Sequence, residues 1–131
     1  MARTQRVTFL KVTLKDQPGT LLGLMQNLKG KNVSLMSLWG IGGMEVYAVA
    51  KNTEKLQDVL NALGLQSEKG SAFFMKGTDK VGVLLKSLEA LSNAGVNMKG
   101  IYAIAVSGKY GSLVWVDAAD IEKATEALSA K

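Results

Sequence analysis

Residues 16–40, DQPGTLLGLMQNLKGKNVSLMSLWG, lie over residues 79–103, DKVGVLLKSLEALSNAGVNMKGIYA, without a gap when the chain is slid by 63 positions (16 onto 79). Asp16 falls on Asp79, Gly19 on Gly82, Leu21 and Leu22 on Leu84 and Leu85, Leu28 on Leu91, and Val33 on Val96. Softer matches pair Met25 with Leu88, Gln26 with Glu89, Leu38 with Ile101 and Trp39 with Tyr102. The matches sit at turn and core positions, the pattern of a duplicated structural unit.

The sequence around this segment assigns the elements of each copy. RVTFLKVTLK (6–15) alternates and is rich in β-branched and aromatic residues, so it reads as a strand. DQPG is a turn cluster, with Pro18 suited to a first helical turn. Leu21, Leu24, Met25 and Leu28 then recur with the spacing of one helical face, and Gly30 marks its expected end. VSLMSLW (33–39) and MEVYAVA (44–50) read as strands joined through IGG, and Leu56, Val59, Leu60 and Leu63 stripe a second helix over 53–63. The second copy repeats this with SAFFMKG (71–77), a helix using Leu84, Leu85, Leu88 and Leu91, and strands over 96–106 and 112–117. Its hairpin around Ser107–Gly111 reads about five residues longer than the first. A last helix starts near Asp120, a candidate N-cap, with Ile121, Ala124 and Leu128 inward.

The expected fold class is α+β: a ferredoxin-like βαββα(β) unit repeated twice, with antiparallel sheets and helices on one face. Residues 1–70 form the first expected domain and 71–131 the second. LGLQSEKG (63–70) can hold a fourth strand for the first. The second ends at ALSAK with its helix, so its fourth strand must come from a shared sheet or a partner chain.

Composition narrows the chemistry. The 131 residues are 47% hydrophobic and 21% charged, the balance of a globular chain, and no apolar run approaches a membrane span. Cysteine and histidine are both absent, which removes disulfides, thiolate chemistry, the usual zinc sites and every imidazole base. A cysteine-free chain with no signal-peptide core fits the cytoplasm. IGG after a strand leads into another strand, so it is no dinucleotide fingerprint. No catalytic set, metal site or cofactor is expected. The net charge of +5 is scattered, and solvated lysines explain it without a nucleic acid.

With strand, D-x-x-G loop (D-x-P-G in the first copy), helix and a valine-led second strand present twice, the chain resembles a tandem pair of ACT domains. That family consists of small βαββαβ modules that bind amino acids and regulate metabolic enzymes or transcription. Asp16, Pro18, Gly19, Thr20 and Leu21 match the family loop almost in full. The second copy keeps Asp79 and Gly82 but has Val81 where the family has proline. Ala94-Gly95-Val96-Asn97-Met98 matches the family's approach to the second strand, where the first copy has Asn32-Val33-Ser34-Leu35. The resemblance implies ligand contacts at Asp16, Gln17, Pro18, Gly19, Thr20, Leu21 and Ser34, and at Asp79, Gly82, Val83, Asn97 and Met98. It implies an amino-acid ligand at ACT–ACT interfaces, allosteric regulation of a metabolic enzyme or regulator, and no catalytic activity.

Physical chemistry agrees with such a loop: a helix N-terminus offers unpaired N–H groups and partial positive charge to a carboxylate. Plainer readings stand beside it. Asp16 and Asp79 can cap helices, Gly19 and Gly82 can allow close packing, and Asn97 can serve a turn. Trp39, Tyr47, Tyr102 and Trp115 read as packing, and the methionines as core filler. The alternative function is a ferredoxin-like RNA- or DNA-binding module, for which Phe73, Phe74 and Lys76 make a poor motif. Strands apolar on both faces predict a homodimer, without specific nucleic-acid or membrane binding.

Overall fold

The computed structural model describes residues 3–42, 45–78 and 81–130. Strand β1 runs Arg3–Thr13, helix α1 Thr20–Gly30, strands β2 and β3 Leu35–Ile41 and Glu45–Ala50, and helix α2 Thr53–Ala62. Strand β4 follows at Ser67–Thr78, helix α3 at Val81–Asn93, strands β5 and β6 at Met98–Val106 and Lys109–Val116, and helix α4 at Ile121–Ala127. The strand order is β2-β3-β1-β4-β6-β5, in one antiparallel sheet.

Two strands are longer than the alternating sequence suggested, and this length settles how the sheet edges close. The chain divides into a nested unit, Thr8–Gly70, and a flanking unit made of the residues up to Val7 and those from Ser71 onward. The nested unit therefore holds the Thr8–Thr13 part of β1, then α1, β2, β3, α2 and the Ser67–Gly70 part of β4. The flanking unit holds the rest of β4, then α3, β5, β6 and α4, and gains Arg3–Val7 as its further strand beside β4. Arg3–Val7 thus stands where the fourth strand of the flanking unit was expected.

In the nested unit the alternating residues Leu10, Val12 and Leu14 share one face with Val46, Ala48 and Ala50. Leu10 stands opposite Ala48 and Val12 opposite Val46. Small residues on β3 leave room for Leu24 and Leu28 of α1 and Leu56, Val59 and Leu60 of α2, so both helices cover this face. On the other face Trp39 stacks on its cross-strand partner Tyr47 at 5.1 Å and 6°. Phe9 meets both edge-on, at 6.0 and 5.4 Å. Phe9 also lies over Gly70, where any Cβ would collide with its ring. The flanking core likewise gathers Phe73, Met75, Val114 and Val116 beneath Leu91, Ala124 and Leu128.

The helix ends follow one rule. Among the described residues, α1, α2, α3 and α4 are each followed by a residue at positive φ: Asn32 (57°), Gly64 (72°), Gly95 (74°) and Ser129 (51°). The next N–H, from Val33, Leu65, Val96 or Ala130, returns to the carbonyl five residues back at 2.9–3.0 Å. This is the Schellman closure, and it turns an apolar residue onto the core each time. Asn32 therefore ends α1, and Gly30 sits inside its last turn.

Other local expectations are corrected. Pro18 precedes α1 and occupies the second position of a type II turn, Gln17–Thr20, in which Gly19 takes φ 88°. Leu21, Leu63 and Leu85, assigned to buried stripes, are exposed because they fall in terminal turns or at the margin of the core-facing arc. The β5–β6 hairpin turns through Ser107 and Gly108 alone, both at positive φ, and the additional residues lengthen the strands. Asp120 precedes α4 but makes no side-chain cap bond.

Candidate functional site

The type II turn presents the N-terminus of α1 to a hollow of about 310 Å³ lined by Leu14, Lys15, Gln17, Gly19, Thr20, Leu21, Leu22, Gly40, Glu45 and Val46. Four of the loop residues expected in a site, Gln17, Gly19, Thr20 and Leu21, are brought together here. Asp16 and Pro18 flank the hollow in sequence but do not line it. Asp16 does not cap the helix either, since Gly19 is the N-cap and no side chain caps it. Gly19 has open space where a Cβ would sit, so glycine is required there by its positive φ and not by close packing.

The first helical bond runs from the Gly23 N–H to the Gly19 carbonyl at 2.9 Å. The N–H groups of Leu21 and Leu22 precede that ladder, where a helix offers its first donors no intrahelical partner. No acidic residue stands in this first turn, so nothing there competes for the partial positive charge. Thr20 adds a hydroxyl, whose hydrogen goes to the Gln17 carbonyl at 3.1 Å and whose lone pairs remain.

Across the hollow stand Gly40, Glu45 and Val46, brought in by register: Gly40 pairs with Val46, and Glu45 with Ile41 and Thr13. Lys11 Nζ lies 2.8 Å from the Glu45 carboxylate and 3.9 Å from that of Glu68. Its pKa is raised above 10.5, chiefly by the hydrogen bond to Glu45 and against a smaller desolvation effect. Glu45 thus stands at the rim with the Lys11 ammonium in contact. Its place beside the loop was invisible in the sequence, because only the β1–β3 and β2–β3 registers carry it there.

Ser34 does not join this group. It lines a separate hollow of about 480 Å³ with Met25, Leu28, Lys29, Asn32, Val33 and Leu35, at the other end of α1. Eleven helical residues span about 16 Å, too far for one small ligand to touch both ends. Of the residues expected in a second loop, Asp79 lies outside the described residues, while Gly82 and Val83 belong to the first turn of α3. Asn97 and Met98 are exposed at the start of β5.

The plain readings separate as well. Trp39 is packed, at 7% exposure, whereas Tyr102, its counterpart under the 63-residue shift (39 onto 102), is 52% exposed. Phe73 is fully buried, which removes it as a nucleic-acid stacking surface. Among the described residues no helix is long and apolar enough to cross a membrane, and no three potential metal ligands gather. The hydroxyls of Tyr110 and Ser112, buried on β6, have no hydrogen-bond partner among them.

No family model and no curated protein matches the chain. Solved structures do. Protein BT0572 from Bacteroides thetaiotaomicron matches with a TM-score of 0.81 and 18% identity, over 96% of this chain and 88% of that one. The regulatory subunit of aspartate kinase from Thermus thermophilus gives 0.65 and 14%, over 98% and 94%. E. coli aspartokinase III, in complex with aspartate and ADP, gives 0.61 and 19%, over 97% of this chain but 31% of that enzyme. At these identities the likeness establishes the fold alone: this chain has the fold of the aspartate kinase regulatory subunits.

Proposed function

We propose that the chain is a non-catalytic regulatory protein that binds a free amino acid in the hollow at the start of α1 and signals its presence to a metabolic enzyme or regulator. One observation carries the reading. The hollow combines what the three parts of an amino acid require: helix N-terminal N–H donors for a carboxylate, the Glu45 carboxylate for an ammonium, and Leu14, Leu21, Leu22 and Val46 for an apolar side chain. The fold supports it, since regulatory subunits of aspartate kinase share it, and E. coli aspartokinase III has been seen with lysine and aspartate.

The twofold βαββα repeat belongs to this proposal, with residues 1–70 and 71–131 as the ancestral copies. In it the chain works in the cytoplasm as a homodimer. Ser34, Asn97 and Met98, which do not line the α1 hollow, contribute contacts from another copy of the chain, and Asp79, Gly82 and Val83 form the second loop.

The test is a thermal-shift screen of the twenty amino acids on the full chain. A ligand at 100 times its Kd adds about 2.7 kcal/mol of stability. Glu45→Gln keeps the shape, removes the charge and weakens the hit by about 1–3 kcal/mol in calorimetry. Absence of any stabilising amino acid, or equal affinity in Glu45→Gln, refutes the site.

A further inference from the structure

Two side chains on β6 carry hydroxyls that find no hydrogen-bond partner among the described residues: Ser112, 2% exposed, and Tyr110, 8% exposed. Burying a polar group that bonds to nothing is costly, and each such group needs an explanation. Ser112 and Tyr110 precede Val114 and Val116 at two-residue steps, so all four side chains share one face of the strand. Val114 and Val116 pack with Leu91 of α3 and with Ala124 and Leu128. Helix α3 starts shortly after Thr78, which pairs with Lys109, so its first turns lie toward Tyr110 and its last toward Val116. The two hydroxyls are therefore on the helix-covered face, at the end where α3 begins.

The matching places of the nested unit are apolar. Under the 63-residue shift Leu14 falls on Gly77 (14 onto 77) and Leu24 on Ser87 (24 onto 87). Strand register supplies a third match: Val12 falls on Met75 (12 onto 75), Val12 pairs with Val46, and Met75 pairs with Ser112. Leu14 and Val46 line the α1 hollow, and Leu24 belongs to the nested core. Two leucines and a valine thus give way to a glycine and two serines, and Tyr110 brings a further hydroxyl opposite Gly77. Ser87 precedes Leu91 by about one helical turn and shares its face.

We infer that the flanking unit holds a second ligand site, in which the Tyr110 and Ser112 hydroxyls bind the uncharged polar side chain of a small amino acid, one that bears a hydroxyl or a primary amide. The inference rests on the amino-acid binding proposed above and names the side chain that the second loop selects. Each protein hydroxyl both donates and accepts, and a ligand hydroxyl or amide does the same, so one group satisfies the pair. Gly77 and Ser87 carry no charge, nor do Ala103 and Ala105, which face Ser112 and Tyr110 across the β5–β6 ladder. A charged ligand side chain would be buried there without a counter-charge, and an aliphatic one would leave both hydroxyls unpaired. Ala103 and Ala105 are exposed, so a small molecule reaches the hydroxyls from the β5 side.

Thermal melts and calorimetry of the full chain with serine, asparagine and valine test this, alongside Tyr110→Phe, Ser112→Ala and Glu45→Gln. Serine or asparagine stabilises the unsubstituted chain, and either hydroxyl deletion weakens that binding about tenfold or more. Without ligand, Tyr110→Phe and Ser112→Ala each raise the melting midpoint by about 2–6 °C, because an unpaired buried hydroxyl is removed while the packing shape is kept. Ligand-free midpoints that fall in both variants show hydroxyls already satisfied in the resting chain, and overturn the inference. Serine or asparagine binding that survives both deletions overturns it too, and its loss in Glu45→Gln then assigns the ligand to the α1 hollow. Valine binding that depends on Glu45, with no response to serine or asparagine, leaves the α1 reading standing and overturns this one. Absence of any amino-acid response overturns both.

Discussion

Trp39 on β2 and Tyr102 on β5 occupy matching places under the sequence shift, and the two strands stand at opposite ends of the sheet order. Trp39 nevertheless closes an aromatic cluster with Tyr47 and Phe9, while Tyr102 stands opposite Leu113 and faces outward. The difference originates in the neighbours. The nested unit places Phe9 on β1 and Tyr47 on β3, within reach of the Trp39 ring. In the flanking unit the nearest tryptophan, Trp115, lies over Gly100, where a Cβ would strike its ring. Places matched by the sequence shift can therefore acquire opposite energetic roles: one ring completes a packed cluster, the other stays exposed.

That contrast is broken most strongly at Trp39. Trp39→Ala removes a stacked, packed ring and costs about 3–5 kcal/mol in urea denaturation. Tyr102→Ala changes the stability of the dilute chain by less than about 0.5 kcal/mol, because the exposed ring has little packing to lose. Equal losses at the two positions contradict the structure.

A smaller and sign-reversed pair lies around the α1 hollow. Gly19→Ala destabilises by about 1–2 kcal/mol, since alanine must adopt a left-handed conformation at φ 88°. Gly23→Ala, four residues on in the helix and with open space at its Cβ, stabilises by about 0.5–1 kcal/mol. Chemical denaturation of both gives the signs. If Gly19→Ala is neutral, the type II turn is wrong.

The smallest effect is electrostatic. Lys11 has a raised pKa, so the stability from its contact with Glu45 is fully present below the unfolded value near 10.5 and is lost as pH rises through the higher folded value. Lys11→Met should flatten this alkaline decline in thermal melts taken between about pH 9 and pH 12. A decline of unchanged steepness would assign it to other groups.

The loop Gln17–Leu21 was legible because turn chemistry and helix starts are local: proline, glycine and the onset of a leucine stripe lie within a few residues of one another. Glu45 was not legible, since it reaches the hollow only through strand register, a property of pairs distant in sequence. Leu21 and Leu63 show the limit of periodicity, which identifies an apolar face but not how far neighbouring elements extend over it. Asp16 shows the same limit for capping, because the Gly19 turn intervenes before the helix begins.

By itself the sequence determined the element order, the apolar faces of helices and strands, and the turns at which the chain changes direction, all through local backbone preference and side-chain period. Only the tertiary structure decided that β1 and β4 are each divided between two compact units, that residues up to Val7 complete the flanking one, and that β5 remains an open edge. Strand pairing joins residues far apart in the chain, and its free energy depends on register and on what covers each face. No window of neighbouring residues contains that information.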